Sequence, residues 1–267
     1  MRIWHNRHCK RALFILKLQD LIYDERGLIV PSALKWREKQ YFEGCGHEVD
    51  TYDKKASHFI LEMFKKSKLI IEIGCGSGAW TRHLAKEGNY VIGVDLSSSL
   101  IKEMHKKLRN SNCEAIVGDA EFLPFKDKVA DGCFFGFSLH HVPNLLQSIE
   151  EAARCLRDNG RLVMIEPNGL NFVLALENQI AVLLKIVKKA GLTSPAERPL
   201  NINEVRRVLS RFGFQCQIFP CYATLRKKGQ MTRLPLLTRI YTLTLRSAAL
   251  ISPNLFGAPN FILLAAR

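Results

Sequence analysis

From residue 68 onward, short continuous apolar runs alternate with stretches whose apolar positions recur every three or four residues. The runs KLIIEI (68–73), YVIGV (90–94), EAIVG (114–118), GCFFGF (132–137) and RLVMIE (161–166) predict buried strands. Their unbroken β-branched and aromatic character suits parallel strands covered on both faces. Between them AWTRHLAKEG (79–88), SSLIKEMHKKLRN (98–110) and LLQSIEEAARCLRDNG (145–160) predict helices. Asn110 and the Asn159-Gly160 pair supply stop signals for the last two. Strands alternating with helices make βαβ units and an α/β, doubly wound sheet. FGFQCQIF (212–219) and NFILLAA (260–266) read as two further strands.

Glycines then pick out one junction. The first strand ends at Glu72 and is followed by Gly74, Gly76 and Gly78. Such a loop permits positive φ and close backbone approach to a ligand before a helix begins, which points to a nucleotide-type cofactor at the C-terminal edge of the sheet. The spacing is G-x-G-x-G, not the G-x-G-x-x-G of dinucleotide sites, which argues against a nicotinamide oxidoreductase. Asp95 closes the second strand, where a carboxylate can take both ribose hydroxyls. Asp119 follows the third, placed to meet an adenine edge.

Residues 69–166 resemble the core of the class I S-adenosylmethionine-dependent methyltransferases. The likeness is closest to the broad group that includes the ubiquinone and menaquinone biosynthesis enzymes. EIGCGSG, GVDLSSSLI, GDAEFLPFKDKVAD, FSLHHV and EAARCLRDNGRLVMIEP carry it. The resemblance implies a Rossmann-like seven-stranded sheet with an antiparallel last strand, and S-adenosyl-L-methionine as cofactor. It implies that Glu72 to Gly78 cradle the cofactor, with Gly74, Gly76 and Gly78 under the methionine moiety, that Asp95 binds the ribose, and that Asp119 and Ala120 frame the adenine. Tyr52, with Asp53, resembles the aromatic-acid pair found ahead of the first strand in this group, and would help close the cofactor pocket. An equal reading makes Asp53 a helix start.

A sulfonium methyl is already activated, so positioning is the main task and a base is needed only where the acceptor loses a proton. His140, His141 and Glu166, at the ends of the fourth and fifth strands, are the catalytic candidates. Packing roles for the histidines, and a backbone-orienting role for Glu166, are the alternatives. FSLHHVPN lacks the Asn/Asp-Pro-Pro-aromatic motif of amine methylation and the Pro-Cys of pyrimidine-ring attack.

Composition and charge narrow the remainder. Eight cysteines include no CxxC pair, which favours buried thiols in a reducing cytoplasm over disulfides or a metal site. The net charge is +14, and residues 171–267 carry 14 basic side chains against 3 acidic ones. Such asymmetry points to an anionic surface or partner.

The basic start predicts a helical leader over residues 1–50, ahead of a methyltransferase domain over 51–267 with helical insertions at about 170–190 and 223–255. In the first insertion Glu177, Asn178, Lys185, Lys188 and Lys189 share one face and apolar residues the other. In the second, Arg239 and Arg246 flank a wide apolar arc. These helices either cover the core or meet anionic lipid as interfacial helices. The expected function is methyl transfer to a small or lipid-linked acceptor, with peripheral membrane contact. An RNA methyltransferase and a non-catalytic S-adenosylmethionine-binding protein are the alternatives.

Overall fold

A computed structural model describes residues 54–109, 111–170, 200–221, 258 and 260–267. The leader, Tyr52, Asp53 and nearly all of both insertions lie outside the described residues. Within them, helix α1 (Lys54–Met63) leads into strand β1 (Leu69–Ile73), and α2 (Thr81–Leu84) leads into β2 (Tyr90–Asp95). Helix α3 (Ser98–Lys107), β3 (Cys113–Val117), β4 (Ala130–Gly136), α4 (Leu145–Cys155) and β5 (Leu156–Pro167) follow. The described chain closes with α5 (Ile202–Arg211), β6 (Gln215–Cys221) and β7 (Asn260–Ala266).

The seven strands form one sheet in the order β3-β2-β1-β4-β5-β7-β6. β1 to β5 are mutually parallel, and β7 runs antiparallel to both neighbours. The expected seven strands and antiparallel last strand are therefore present. The order reverses between β1 and β4, and that switch point is where open α/β sheets place ligands.

The period-two alternation of side chains splits the core into two layers. Ile71, Ile73, Ile92 and Val94 pack with Ile149 of α4 and Val205 of α5. Ile70, Val91 and Phe134 point the other way, onto Ile60, Phe64, Trp80, Leu84 and Met104. Both faces are covered, as continuous apolar strands require.

Boundaries differ from the sequence pattern in three places. The helix read over 79–88 shortens to α2 plus a 3₁₀ turn over Ala85–Glu87, stopped by Gly88 at φ 83°. Helix α4 ends at Cys155, not at the Asn159-Gly160 signal; Asn159 takes φ 65° within β5, beside its register shift against β4. β6 begins at Gln215, because Gly213 (φ 78°) closes α5 and the Phe214 amide returns to the Leu209 carbonyl at 3.2 Å. Helix α5 has no counterpart in the sequence reading. Its signals were an Asn201 N-cap, which accepts from the Asn203 amide, and inward Ile202, Val205 and Leu209.

Candidate functional site

The loop after β1 is built from three glycines with different surroundings. All three are left-handed, at φ 77° for Gly74, 54° for Gly76 and 86° for Gly78. A Cβ on Gly74 would lie 2.3 Å from the Ser138 Cβ, and one on Gly78 would lie 2.8 Å from both Met104 and Leu108. Those two are close-packing positions. At Gly76 the nearest atom would be Leu100 Cδ1 at 4.0 Å, so the backbone there faces open space. The amides of Gly74 and Cys75 both donate to the Val94 carbonyl, at 2.7 and 3.0 Å, tying the loop to the end of β2.

Asp95 sits beside this loop, its Oδ2 accepting from the Gly76 amide at 2.8 Å and its Oδ1 from the Ser97 amide at 2.9 Å. Burial pushes its carboxyl above the ordinary range, and these two N–H groups oppose that. Each oxygen retains accepting capacity. Asp119 is buried and fixes its own turn, Oδ1 accepting from the Glu121 amide at 2.9 Å. Ala120 packs half-buried on the core next to it.

Glu72 lies beneath the loop, 1% exposed, on the sheet face lined by Trp80 and Met104. Thr81 Oγ1 donates to its Oε2 at 2.6 Å. Desolvation raises this carboxyl to about 8, the Thr81 bond lowering it only in part and nearby Asp95 adding to the rise. Glu72 is thus enclosed under the glycine loop, not on its open side.

Across the switch point, the strand-end corner Phe137–His141 is fixed from several directions. Phe137 takes φ 57°, a strained backbone for an aromatic residue, and its amide donates to the Ile165 carbonyl at 2.9 Å. Ser138 Oγ donates to the Ile73 carbonyl at 2.6 Å, joining the corner to β1 directly under Gly74. Glu166, fully buried, accepts the Ser138 and Leu139 amides on Oε1 at 2.9 and 2.8 Å. Its Oε2 pairs with His140 Nδ1 at 2.6 Å. The His141 ring stacks on His140, with centroids 3.9 Å apart.

The structure therefore gathers Gly74, Gly76, Gly78 and Asp95 around one loop and His140, His141 and Glu166 in one adjoining corner, with Asp119 and Ala120 on the loop after β3. Tyr52 lies outside the described residues. Ser138 and Thr81 were missed by sequence reasoning. Both are small hydroxyl residues whose partners are set by tertiary packing, and no local signal marks them. Among the described residues no cluster of His, Cys, Asp or Glu could hold a metal ion.

An open Gly76 backbone, a strand-end carboxylate with spare acceptor sites and a second acidic turn one strand further fit an adenosyl cofactor with an amino-acid tail. Residues 71–164 match a family model described as a methyltransferase domain. Together with this fold, that identifies residues 71–164 as a class I S-adenosylmethionine-dependent methyltransferase domain, whose cofactor is S-adenosylmethionine.

Among particular relatives, the chain is 34% identical over 106 residues to the demethylmenaquinone methyltransferase of Staphylococcus carnosus. The match covers 38% of this chain and 44% of that protein, so the chain spans less than half the length of the relative. Of solved structures, the YcgJ protein of Bacillus subtilis superposes with a TM-score of 0.58 at 15% identity, covering 80% of this chain and 99% of that one. Magnesium protoporphyrin IX methyltransferase from Synechocystis, with bound S-adenosylhomocysteine, gives a TM-score of 0.54 at 17% identity, covering 80% and 82%.

Proposed function

We propose that this protein transfers a methyl group from S-adenosylmethionine to a lipid-linked, quinone-type acceptor met at a membrane surface. The observation that carries the reading is the open Gly76 backbone bonded to Asp95, within a core similar to that of demethylmenaquinone methyltransferases. When bound, the cofactor supplies an electrophilic methyl group. Asp95 holds the ribose hydroxyls, Asp119 and Ala120 frame the adenine, and Gly74 to Gly78 take the methionine tail, with Glu72 bracing the loop from below. Tyr52 closes the pocket on the strength of its sequence position alone.

Methylation of a ring carbon or hydroxyl releases a proton, and His140 is the group assigned to receive it. Glu166 is a positioning residue, since both its oxygens are committed to the corner. Its contact with Nδ1 favours the tautomer with Nε2 as acceptor. His141 supports the ring by stacking. Charge and apolar width in the two insertions support the membrane surface as the place where acceptor is met.

Calorimetric titration with S-adenosylhomocysteine, followed by turnover with a short-chain demethylmenaquinone in anionic micelles, tests both levels. Binding plus cofactor consumption is the expected result. Asp95→Ala weakens binding by about 1.5–3 kcal/mol, the worth of hydrogen bonds to a charged acceptor. Tight NAD binding without a response to S-adenosylhomocysteine would overturn the cofactor reading. Saturable cofactor binding with no turnover on any quinone would favour a sensor.

A further inference from the structure

Helix α5 and strand β6 enclose a second concave surface, away from the glycine loop. The inward residues of α5 are Ile202, Val205, Val208 and Leu209, all buried, so Asn203, Arg206, Arg207 and Ser210 face outward. With Phe214 and Cys216 they line an open groove of about 470 Å³. No acid lines it. A third guanidinium stands at its end, where Arg267 lies 4.6 Å over the Phe214 ring and donates to the Phe212 carbonyl at 3.1 Å.

Strand β6 is the outermost strand of the sheet and, among the described residues, pairs only with β7. Pro220 has no N–H to give, so its nitrogen side is the one turned away from β7. Cys216 and Ile218 share its phase, and their N–H and C=O groups accordingly face the edge that, among the described residues, no strand pairs. A proline at one end of that edge limits any added strand to a few residues. A strand laid there would send alternate side chains toward Arg206 and Arg207.

We propose that this groove docks a short, extended, acidic segment of a partner protein, which adds a strand to β6 and sets alternate carboxylates on Arg206 and Arg207. Two observations select a peptide. The open edge offers alternating donors and acceptors, which another peptide backbone matches, whereas phosphate oxygens would meet the carbonyls unfavourably. Among the described residues lining the groove the one ring, Phe214, is buried and capped by Arg267, so it offers no platform for a base.

The experiment uses the full chain with a fluorescein-labelled Glu-Val-Glu-Val-Glu-Val peptide, read by anisotropy and by hydrogen exchange at Cys216 and Ile218. A Lys-Val counterpart tests charge, and a version with proline at alternate valines keeps the charge but cannot extend a sheet. Binding of the first peptide alone, slowed exchange at both amides, and about tenfold weaker binding in Arg206→Glu/Arg207→Glu is the expected pattern. Both arginines are exposed, so S-adenosylhomocysteine affinity of the variant stays at the wild-type value and reports an intact fold. Equal binding of the proline version, or unprotected Cys216 and Ile218 amides, would overturn the strand-adding model. So would tighter, salt-sensitive binding of a twelve-nucleotide RNA or of phosphatidylglycerol vesicles that the same variant loses.

Discussion

Gly74 and Gly76 share a left-handed backbone but not a neighbour, and the difference separates stability from binding. An alanine at Gly74 adds backbone strain and drives Cβ into Ser138, so Gly74→Ala should cost about 2–4 kcal/mol in urea unfolding. Gly76→Ala adds only the strain, about 1–2 kcal/mol, but fills the open side of the loop, and S-adenosylhomocysteine affinity should drop at least tenfold. Equal effects of the two on binding would remove the distinction. Glu72 gives a pH signature. Its folded carboxyl keeps a proton up to about 8, while the unfolded one releases it near the ordinary 4.5. Between those values the native state binds the extra proton, so this group's contribution to stability is lost as pH rises. Ligand-free unfolding from pH 5 to 8 should show a falling slope, shallower in Glu72→Gln by roughly 1 kcal/mol per pH unit. Identical slopes would mean that Glu72 ionises normally. The sequence showed Glu72 as an acid at a strand end. Its fate depended on facing Trp80 and Met104 instead of the loop's open side, which the alternation of one strand cannot reveal.

Between elements, the loop that presents Asp119 and Ala120 is clamped by α4. Arg154 donates through Nη1 to the Phe125 carbonyl and Asp127 at 2.6 and 2.8 Å, and through Nη2 to the Leu123 carbonyl at 2.9 Å. Glu151 holds the guanidinium through both oxygens and accepts the Leu123 amide at 2.8 Å. Arg154→Met leaves two loop carbonyls without their guanidinium donor and the Glu151 charge with only the Leu123 amide, and should cost about 2–4 kcal/mol. It should also weaken S-adenosylhomocysteine binding, because the turn at Asp119 loses its anchor. Wild-type affinity in a destabilised variant would confine the clamp to structure. The helix bearing this pair was legible from its period, but the clamp was not. Arg154 and Asp127 are 27 positions apart, and only the passage through β4 into α4 brings them together. The Asn159-Gly160 signal was likewise a real turn preference attached to the wrong element. Asn159 does adopt φ 65°, yet it serves an irregularity in β5, four residues after the helix has ended.

Over the whole molecule, what the sequence made readable was the alternation of strands and helices and the chemistry at the strand ends. Strand order was not readable from spacing, and the family resemblance implied only seven strands with the last antiparallel, because which strands neighbour each other depends on crossovers, not on local pattern. The acceptor side is the least legible part, since it rests on segments whose apolar stripes suit either a core or a lipid surface. Charge offers the discriminating test. The last third carries 14 basic and 3 acidic side chains, and among the described residues no helix is long and apolar enough to cross a membrane. Peripheral attraction to anionic headgroups contributes about 1 kcal/mol per basic residue near the surface. Reversing Arg239 and Arg246 together should therefore weaken sedimentation with phosphatidylglycerol vesicles by about thirtyfold or more at moderate salt. Reversing Arg206 and Arg207, which line the α5–β6 groove, should leave vesicle binding within about twofold, so the two basic surfaces can be told apart. If both pairs matter equally, the membrane contact is diffuse and the interfacial-helix reading fails. If neither matters and a transfer-RNA probe binds with a steep loss as salt rises, the acceptor is to be sought among nucleic acids.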